Sequence, residues 1–231
     1  MRTWGFFRAE GHFPSTDDLN AARECTGFEK IVLDPGTRTI QFAFPEMELD
    51  LGAIGKGYAV DQAVEILREA GVDAALLVAG SSTVYALGAP PGDDGWKIHV
   101  PDPLDRTRKI STVKLRDQAV STSGSYERFF ELDGRRYCHV MDPRTGVPVE
   151  GVLQTTLIGS DGAMTDAISN ALFVVGPNGS VLLSKFEDVS ALSVLTDGPG
   201  QRILKWNWPD AAVETSEIID FEPSYGRAQA S

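Results

Sequence analysis

Cysteine, histidine, positive charge and long apolar runs are all in short supply in this sequence, and each shortage excludes something. Cys25 and Cys138 are the only two cysteines in 231 residues, which rules out a disulfide framework and leaves at most one bridge. The redox compartment is therefore left open. Basic residues number 21 against 33 acidic, a formal net charge of -12, so a nucleic-acid or anionic-membrane surface would meet long-range repulsion. An anionic ligand needs local help, from a metal ion, a helix N-terminus or placed cations such as Lys56 and Arg144. No apolar run approaches membrane-spanning length, and Met1 to Arg8 lacks the basic start, apolar core and small-residue cleavage site of a signal peptide. Neither a membrane segment nor a nucleic-acid partner is expected, and the compartment is not fixed.

What is present suits a folded core, with 42% hydrophobic residues in a length that allows one large domain or two small ones. Ser15 can cap a helix over residues 16–24. Residues 30–33 and 38–44 flank an Asp34-Pro35-Gly36-Thr37 turn and predict a hairpin. Val60, Ala63, Val64 and Leu67 recur at helical spacing, with Asp61, Gln62, Glu65 and Arg68 on the opposite face and Gly71 as terminator. Residues 73–79, 83–87, 96–100 and 109–115 read as strands. Asp133-Gly134 joins residues 128–132 and 135–141 in a hairpin. A further strand over 151–158 is followed by a helix over 162–175, its buried stripe being Met164, Ala167, Ile168, Ala171, Leu172 and Val175. A short helix over 181–186, a strand pair at 190–195 and 201–206, and a flexible tail over 223–231 complete the chain. With no repeats and no regular βαβ alternation, the fold class is α+β with largely antiparallel sheets packed with helices. Residues 1–222 are expected to form a single domain.

Three clusters carry chemistry. Met47-Glu48-Leu49 runs into a Gly-rich bend and then a helix, which aims free backbone N–H groups at an anion. Gly52, Gly55 and Gly57 allow close approach, Lys56 adds a charge, and Asp50 can accept hydrogen bonds from a nucleotide. The same residues also suit a tight strand-to-helix turn with Lys56 solvated. In the second cluster, Ser121 to Tyr126 and His139 to Gly146 gather hydroxyls, a histidine and an arginine. An unperturbed imidazole has a pKa close to neutrality, so His139 can take a proton from a hydroxyl and pass it on, and Arg144 can grip a phosphate or carboxylate in a fork. An ordinary Asp142-Pro143 turn, with Arg144 in solvent and His139 a satisfied sheet residue, is the alternative. Third, Asp166 and Asn170 stand one turn apart on a helix and could share an ion, oxygen-only ligation suiting Mg²⁺; a plain polar surface is the other reading.

Asp50-Leu51-Gly52-Ala53-Ile54-Gly55-Lys56-Gly57-Tyr58-Ala59-Val60-Asp61, Ser121 to Phe129, and His139-Val140-Met141-Asp142-Pro143-Arg144-Thr145-Gly146 resemble consecutive motifs of the ApbE-type flavin transferases. The resemblance implies a T-fold-like flavin transferase architecture. It also implies Mg²⁺-dependent transfer of FMN from FAD to a Thr hydroxyl of an acceptor flavoprotein, releasing AMP. A non-catalytic FAD-binding or scaffold homologue, and an FAD pyrophosphatase giving FMN and AMP, are the alternatives. On this resemblance His139 is the proton acceptor. Asp50, Lys56, Gly57, Ser123, Gly124, Val140, Met141, Arg144 and Thr145 bind FAD, and Ala53, Asp166 and Asn170 hold the metal. Asn170 stands where the family has Thr, and Gly80-Ser81-Ser82 where it has Gly-Gly-Asn. The chain starts at a point matching the family's Trp-Gly-Phe segment, so the family's N-terminal part is expected to lie outside it. Members of the family are usually exported and lipid-anchored, a signal not found here.

Overall fold

Local side-chain chemistry sets most element boundaries in the computed structural model, which describes residues 1–7, 11–198, 200–209 and 218–220. The expected tail over 223–231 lies outside the described residues. Helix α1 (Thr16–Glu24) starts where the Ser15 hydroxyl accepts the Asp18 amide at 3.1 Å and donates to its carboxylate at 2.6 Å. Strands β1 (Ile31–Asp34) and β2 (Thr39–Phe42) turn around Asp34, whose carboxylate accepts the Gly36 and Thr37 amides at 2.8 and 3.2 Å. Helix α2 (Gly55–Glu69) ends before Gly71, which adopts φ of +76°.

Strands β3 (Ala75–Ala79), β4 (Thr83–Leu87), β5 (Trp96–Pro101), β6 (Lys109–Leu115) and β7 (Gln118–Gly124) follow. Next come the hairpin β8 (Phe129–Leu132) and β9 (Arg135–Cys138), with Asp133 and Gly134 both at positive φ, and the short pair β10 (Met141–Asp142) and β11 (Val147–Pro148). Strand β12 (Val152–Gly159), helices α3 (Gly162–Val175) and α4 (Ser180–Leu183), and strands β13 (Ser190–Asp197), β14 (Gly200–Trp206) and β15 (Ile218–Asp220) complete the order.

The chain divides into two compact units. The first comprises Met1–Leu51 and Ser125–Glu150. Its centre is aromatic: Trp4 meets Phe13 edge-on at 5.9 Å and Phe130 stacks on Tyr137 at 5.3 Å. The second unit, Gly52–Gly124 with Gly151–Ser231, is built on a seven-stranded sheet in the order β15-β14-β13-β12-β7-β4-β3. Every pairing is antiparallel except β14 with β15. The α+β, largely antiparallel class read from the sequence is the observed one.

Alternation along the strands separates the two faces of this sheet. Ala86, Val120, Ile158, Leu192, Val194 and Ile203 pack with Val100, Ile110, Val113 and Leu115 of the β5–β6 hairpin. On the other face Tyr85, Leu87 and Ala119 receive Val60 and Val64 of α2. Strand β7 puts Ser121 to Gly124, the first part of the hydroxyl cluster read from the sequence, inside the seven-stranded sheet between β12 and β4. Its inward hydroxyls are paired with α3: Ser121 Oγ lies 3.0 Å from Thr165 Oγ1 and Ser123 Oγ 2.8 Å from Ser169 Oγ. Paired hydroxyls can be buried where lone ones could not, so a serine-rich segment occupies the middle of the sheet. Among the described residues no helix is long and apolar enough to cross a membrane.

Candidate functional site

In the second unit the N-terminal ends of α2 and α3 meet at two glycines. A β-carbon on Gly57 would strike the Gly162 carbonyl, and one on Gly162 would lie 2.7 Å from the Gly57 carbonyl oxygen. Glycine at both positions is what lets the backbones touch. Each helix then sends a carboxylate to the start of the other. Asp61 of α2 accepts the Gly162 and Ala163 amides at 2.6 and 2.8 Å, and Asp166 of α3 accepts the Gly57 amide through Oδ2 at 3.2 Å. Both carboxylates face the positive end of a helix dipole. The sequence reading placed Asp61 on the solvent side with Gln62 and Glu65. The structure turns it onto α3, because it lies one turn beyond Gly57 on the same face.

The two helix ends differ in what remains open. Asp161 takes the Met164 amide at 2.7 Å, so with Asp61 the first three amides of α3 all have carboxylate partners. Helix α2 has Ile54 at its N-cap and no side-chain cap. Among the described residues the Gly55 and Lys56 amides have no acceptor, and they are the ones able to receive an anion. The Lys56 ammonium bonds the Gly52 carbonyl at 3.3 Å, so it stays over the same bend. Gly80, at φ of +61°, brings the β3–β4 turn alongside, where a β-carbon would lie 3.9 Å from Lys56 Cδ.

Asp166 is buried, and its Oδ1 makes no hydrogen bond among the described residues. A buried carboxylate at the lip of an anion-binding bend repels phosphate unless a cation stands between them. Hard oxygen donors fit Mg²⁺, which takes one or two carboxylates and completes its shell with water and phosphate oxygens. Asn170 donates its amide to the Asp166 carbonyl at 3.0 Å, which leaves its side-chain oxygen as the end able to ligate. Ala53 is exposed in the turn just before α2. Of the FAD residues inferred from sequence, Lys56 and Gly57 lie at this crossing. Ser123 is in β7 with its hydroxyl on Ser169, and Gly124 ends the same strand.

In the first unit, His139 sits just after β9, half-buried, with its Nδ1 3.1 Å from the Arg128 carbonyl. A carbonyl only accepts, so Nδ1 carries the proton and Nε2 is the basic nitrogen of the neutral ring. Arg144 forks onto Asp142, Nε to Oδ1 at 2.8 Å and Nη2 to Oδ2 at 2.7 Å. That guanidinium holds the Asp142 carboxyl below the usual carboxylate range. Val140 is buried and its carbonyl accepts the Val149 amide, Met141 pairs with Pro148 in the β10–β11 ladder, and the Thr145 amide bonds the Asp142 carbonyl at 3.2 Å. Asp50 is exposed near the end of the unit's first segment. Two donors that the sequence did not flag hold the 142–146 loop: Trp4 Nε1 bonds the Gly146 carbonyl at 2.9 Å and Arg23 Nη2 the Arg144 carbonyl at 3.0 Å. Cys25 and Cys138 are both free, and burial pushes the Cys138 thiol up, which disfavours its thiolate.

The sequence profile described as the ApbE family matches residues 1–193. An FAD:protein FMN transferase from Klebsiella pneumoniae is 37% identical over 188 residues, covering 80% of this chain and 57% of that protein. Another, from Treponema pallidum, is 37% identical over 215 residues, covering 85% and 59%. Among solved structures, the ApbE protein of Thermotoga maritima matches with a TM-score of 0.77 at 34% identity, over 84% of this chain and 64% of that one. The Pseudomonas stutzeri flavinyl transferase ApbE, in its apo form, gives 0.72 at 32% identity over 84% and 60%. This chain spans less than two thirds of each of these relatives.

Proposed function

The chain belongs to the ApbE family, and from that membership and the crossing of α2 with α3 we propose that it transfers FMN from FAD to a Thr hydroxyl of an acceptor flavoprotein, with Mg²⁺ and with release of AMP. The observation that carries the reading is the uncapped N-terminus of α2 with the Asp166 carboxylate beside it. Gly55 N–H, Lys56 N–H and the Lys56 ammonium suit a pyrophosphate, and Asp166 Oδ1 with the Asn170 amide oxygen suits the divalent ion that such a phosphate brings. The Ala53 carbonyl is the third oxygen assigned to the ion. When bound, Mg²⁺ supplies neutralisation of charge on the phosphates.

In the transfer the Thr oxygen bonds to the FMN phosphorus and the bond from that phosphorus to the bridging oxygen breaks. The AMP leaving group takes the bridging oxygen with its electron pair. His139, with Nε2 basic, accepts the proton that the Thr hydroxyl gives up. Asp50, Ser123, Gly124, Val140, Met141, Arg144 and Thr145 are the further residues assigned to FAD. For Arg144 this requires sharing or releasing its fork with Asp142.

Mass spectrometry of a Thr-containing acceptor incubated with this chain, FAD and Mg²⁺ tests the proposal. An acceptor heavier by one FMN supports transfer. FMN and AMP released without an acceptor would assign the enzyme to FAD hydrolysis instead. Bound FAD with no product in either arm would leave a binding protein.

A further inference from the structure

The first three amides of α3 have no intrahelical acceptor, and the source of their partners is informative. Asp161 takes the Met164 amide as an ordinary N-cap. Asp61 takes the other two from a different helix, bonding Gly162 and Ala163 across 101 and 102 residues of sequence. Its bonds, at 2.6 and 2.8 Å, are charge-assisted and forked. They fix both the position and the rotation of the α3 start relative to α2. The glycine contact cannot do this alone, since Gly57 and Gly162 offer no side chain to key one helix against the other.

Asp166 lies one turn into α3 and returns its bond to Gly57, one turn before Asp61. The four residues close a ring: along α2 from Gly57 to Asp61, across to Gly162, along α3 to Asp166, and back to Gly57. Both oxygens of Asp61 are used in it, whereas Asp166 uses only Oδ2. Each Asp61 oxygen thus already accepts a backbone amide, whereas Asp166 Oδ1 accepts none among the described residues, so Asp166 is the better placed of the two to meet an ion.

We infer that Asp61 is a positioning residue for the metal-binding carboxylate: its fork on Gly162 and Ala163 sets the rotation of α3 that presents Asp166 Oδ1 at the α2 N-terminus. This rests on the divalent-ion reading given above. Without the fork, α3 still packs on the sheet through Ser121–Thr165 and Ser123–Ser169, so the fold survives while the carboxylate loses its aim.

The test is Asp61→Asn, nearly isosteric, whose amide turns one acceptor into a donor facing a backbone N–H. Two readouts are needed on wild type and variant: thermal unfolding, and Mg²⁺ affinity by isothermal titration in the presence of FAD. Val64→Ala, which trims the packing of α2 on Tyr85, Leu87 and Ala119 and removes no hydrogen bond of the ring, is the control for plain destabilisation. The expected result is a Mg²⁺ affinity about 10- to 100-fold weaker in Asp61→Asn, as for partners that orient metal ligands. Val64→Ala should lose stability and keep the wild-type affinity. Wild-type Mg²⁺ affinity in a folded Asp61→Asn overturns the positioning role alone. A wild-type chain that binds no Mg²⁺ overturns the divalent-ion reading and this role with it. Should Asp61→Asn fail to fold, Asp61→Ser, with a hydroxyl able to accept one of the two amides, takes its place and is judged by the same outcomes.

Discussion

Gly57 and Gly162 touch through their backbones, and neither position has room for a β-carbon. That contact brings two helix N-termini together, puts Asp166 on the Gly57 amide, and leaves the Gly55 and Lys56 amides for a ligand.

Gly57→Ala should therefore force α2 and α3 apart. Overpacking of this kind costs about 1–3 kcal/mol, and here the obstacle is a carbonyl that cannot rotate away. Chemical denaturation should show a lowered midpoint with an unchanged slope. FAD affinity should fall with it, since the Gly57–Asp166 bond is stretched.

Asp166→Asn keeps an oxygen for the Gly57 amide and so should keep the fold. What it removes is the negative charge for a cation. Turnover at saturating FAD should drop by on the order of a hundredfold, the effect of losing several kcal/mol of charge stabilisation. Melting curves close to wild type alongside that loss would separate function from stability.

His139→Gln should act differently from Asp166→Asn. A glutamine amide can still donate to the Arg128 carbonyl, but nothing at the Nε2 position takes a proton. FAD binding should be retained and kcat should fall by about 10²- to 10⁴-fold, the usual worth of a general base. Equal kcat in wild type and variant would remove His139 from the proton step.

Acid should reveal the Asp142–Arg144 fork. The Asp142 carboxyl is held below its ordinary value by the Arg144 guanidinium, so its folded pKa lies under the unfolded value of about 3.9. Its contribution to stability is then complete above about pH 4 and is lost as pH falls toward the folded value. In melts from about pH 6 to about pH 2, the stability difference between wild type and Asp142→Asn should shrink only below about pH 4. A difference that is flat across this range would mean the fork adds nothing.

Much of this was legible in the sequence where local chemistry decides structure. Ser15 and Asp133-Gly134 mark their elements close to the observed bounds. Helix α3 has the expected bounds but not the expected buried stripe: Ala171 is exposed and Met164, Ala167 and Val175 are half-buried, while Thr165, Asp166, Ser169 and Phe173 are buried with Ile168 and Leu172, because the face turned to β7 and α2 carries paired polar groups. Strand β7 was not legible, because serines in the middle of a sheet are tolerated only through Thr165 and Ser169, far along the chain. Asp61 was misread for a related reason. A charged residue after an apolar position looks solvent-facing until a second helix supplies two unpaired amides for it. The motif residues Lys56, Gly57 and Asp166 could be named from resemblance, but their meeting at one helix crossing is a property of the tertiary fold. Trp4 and Arg23 gave no sequence signal, since their acceptors are backbone carbonyls.

The most direct measurement is a fluorescence titration of FAD into wild type and Asp166→Asn, each with and without Mg²⁺. The expected result is FAD binding that tightens on adding Mg²⁺ in the wild type and does not respond to it in the variant. Equal FAD affinity in all four titrations would contradict a pyrophosphate held through a divalent ion at the α2–α3 crossing.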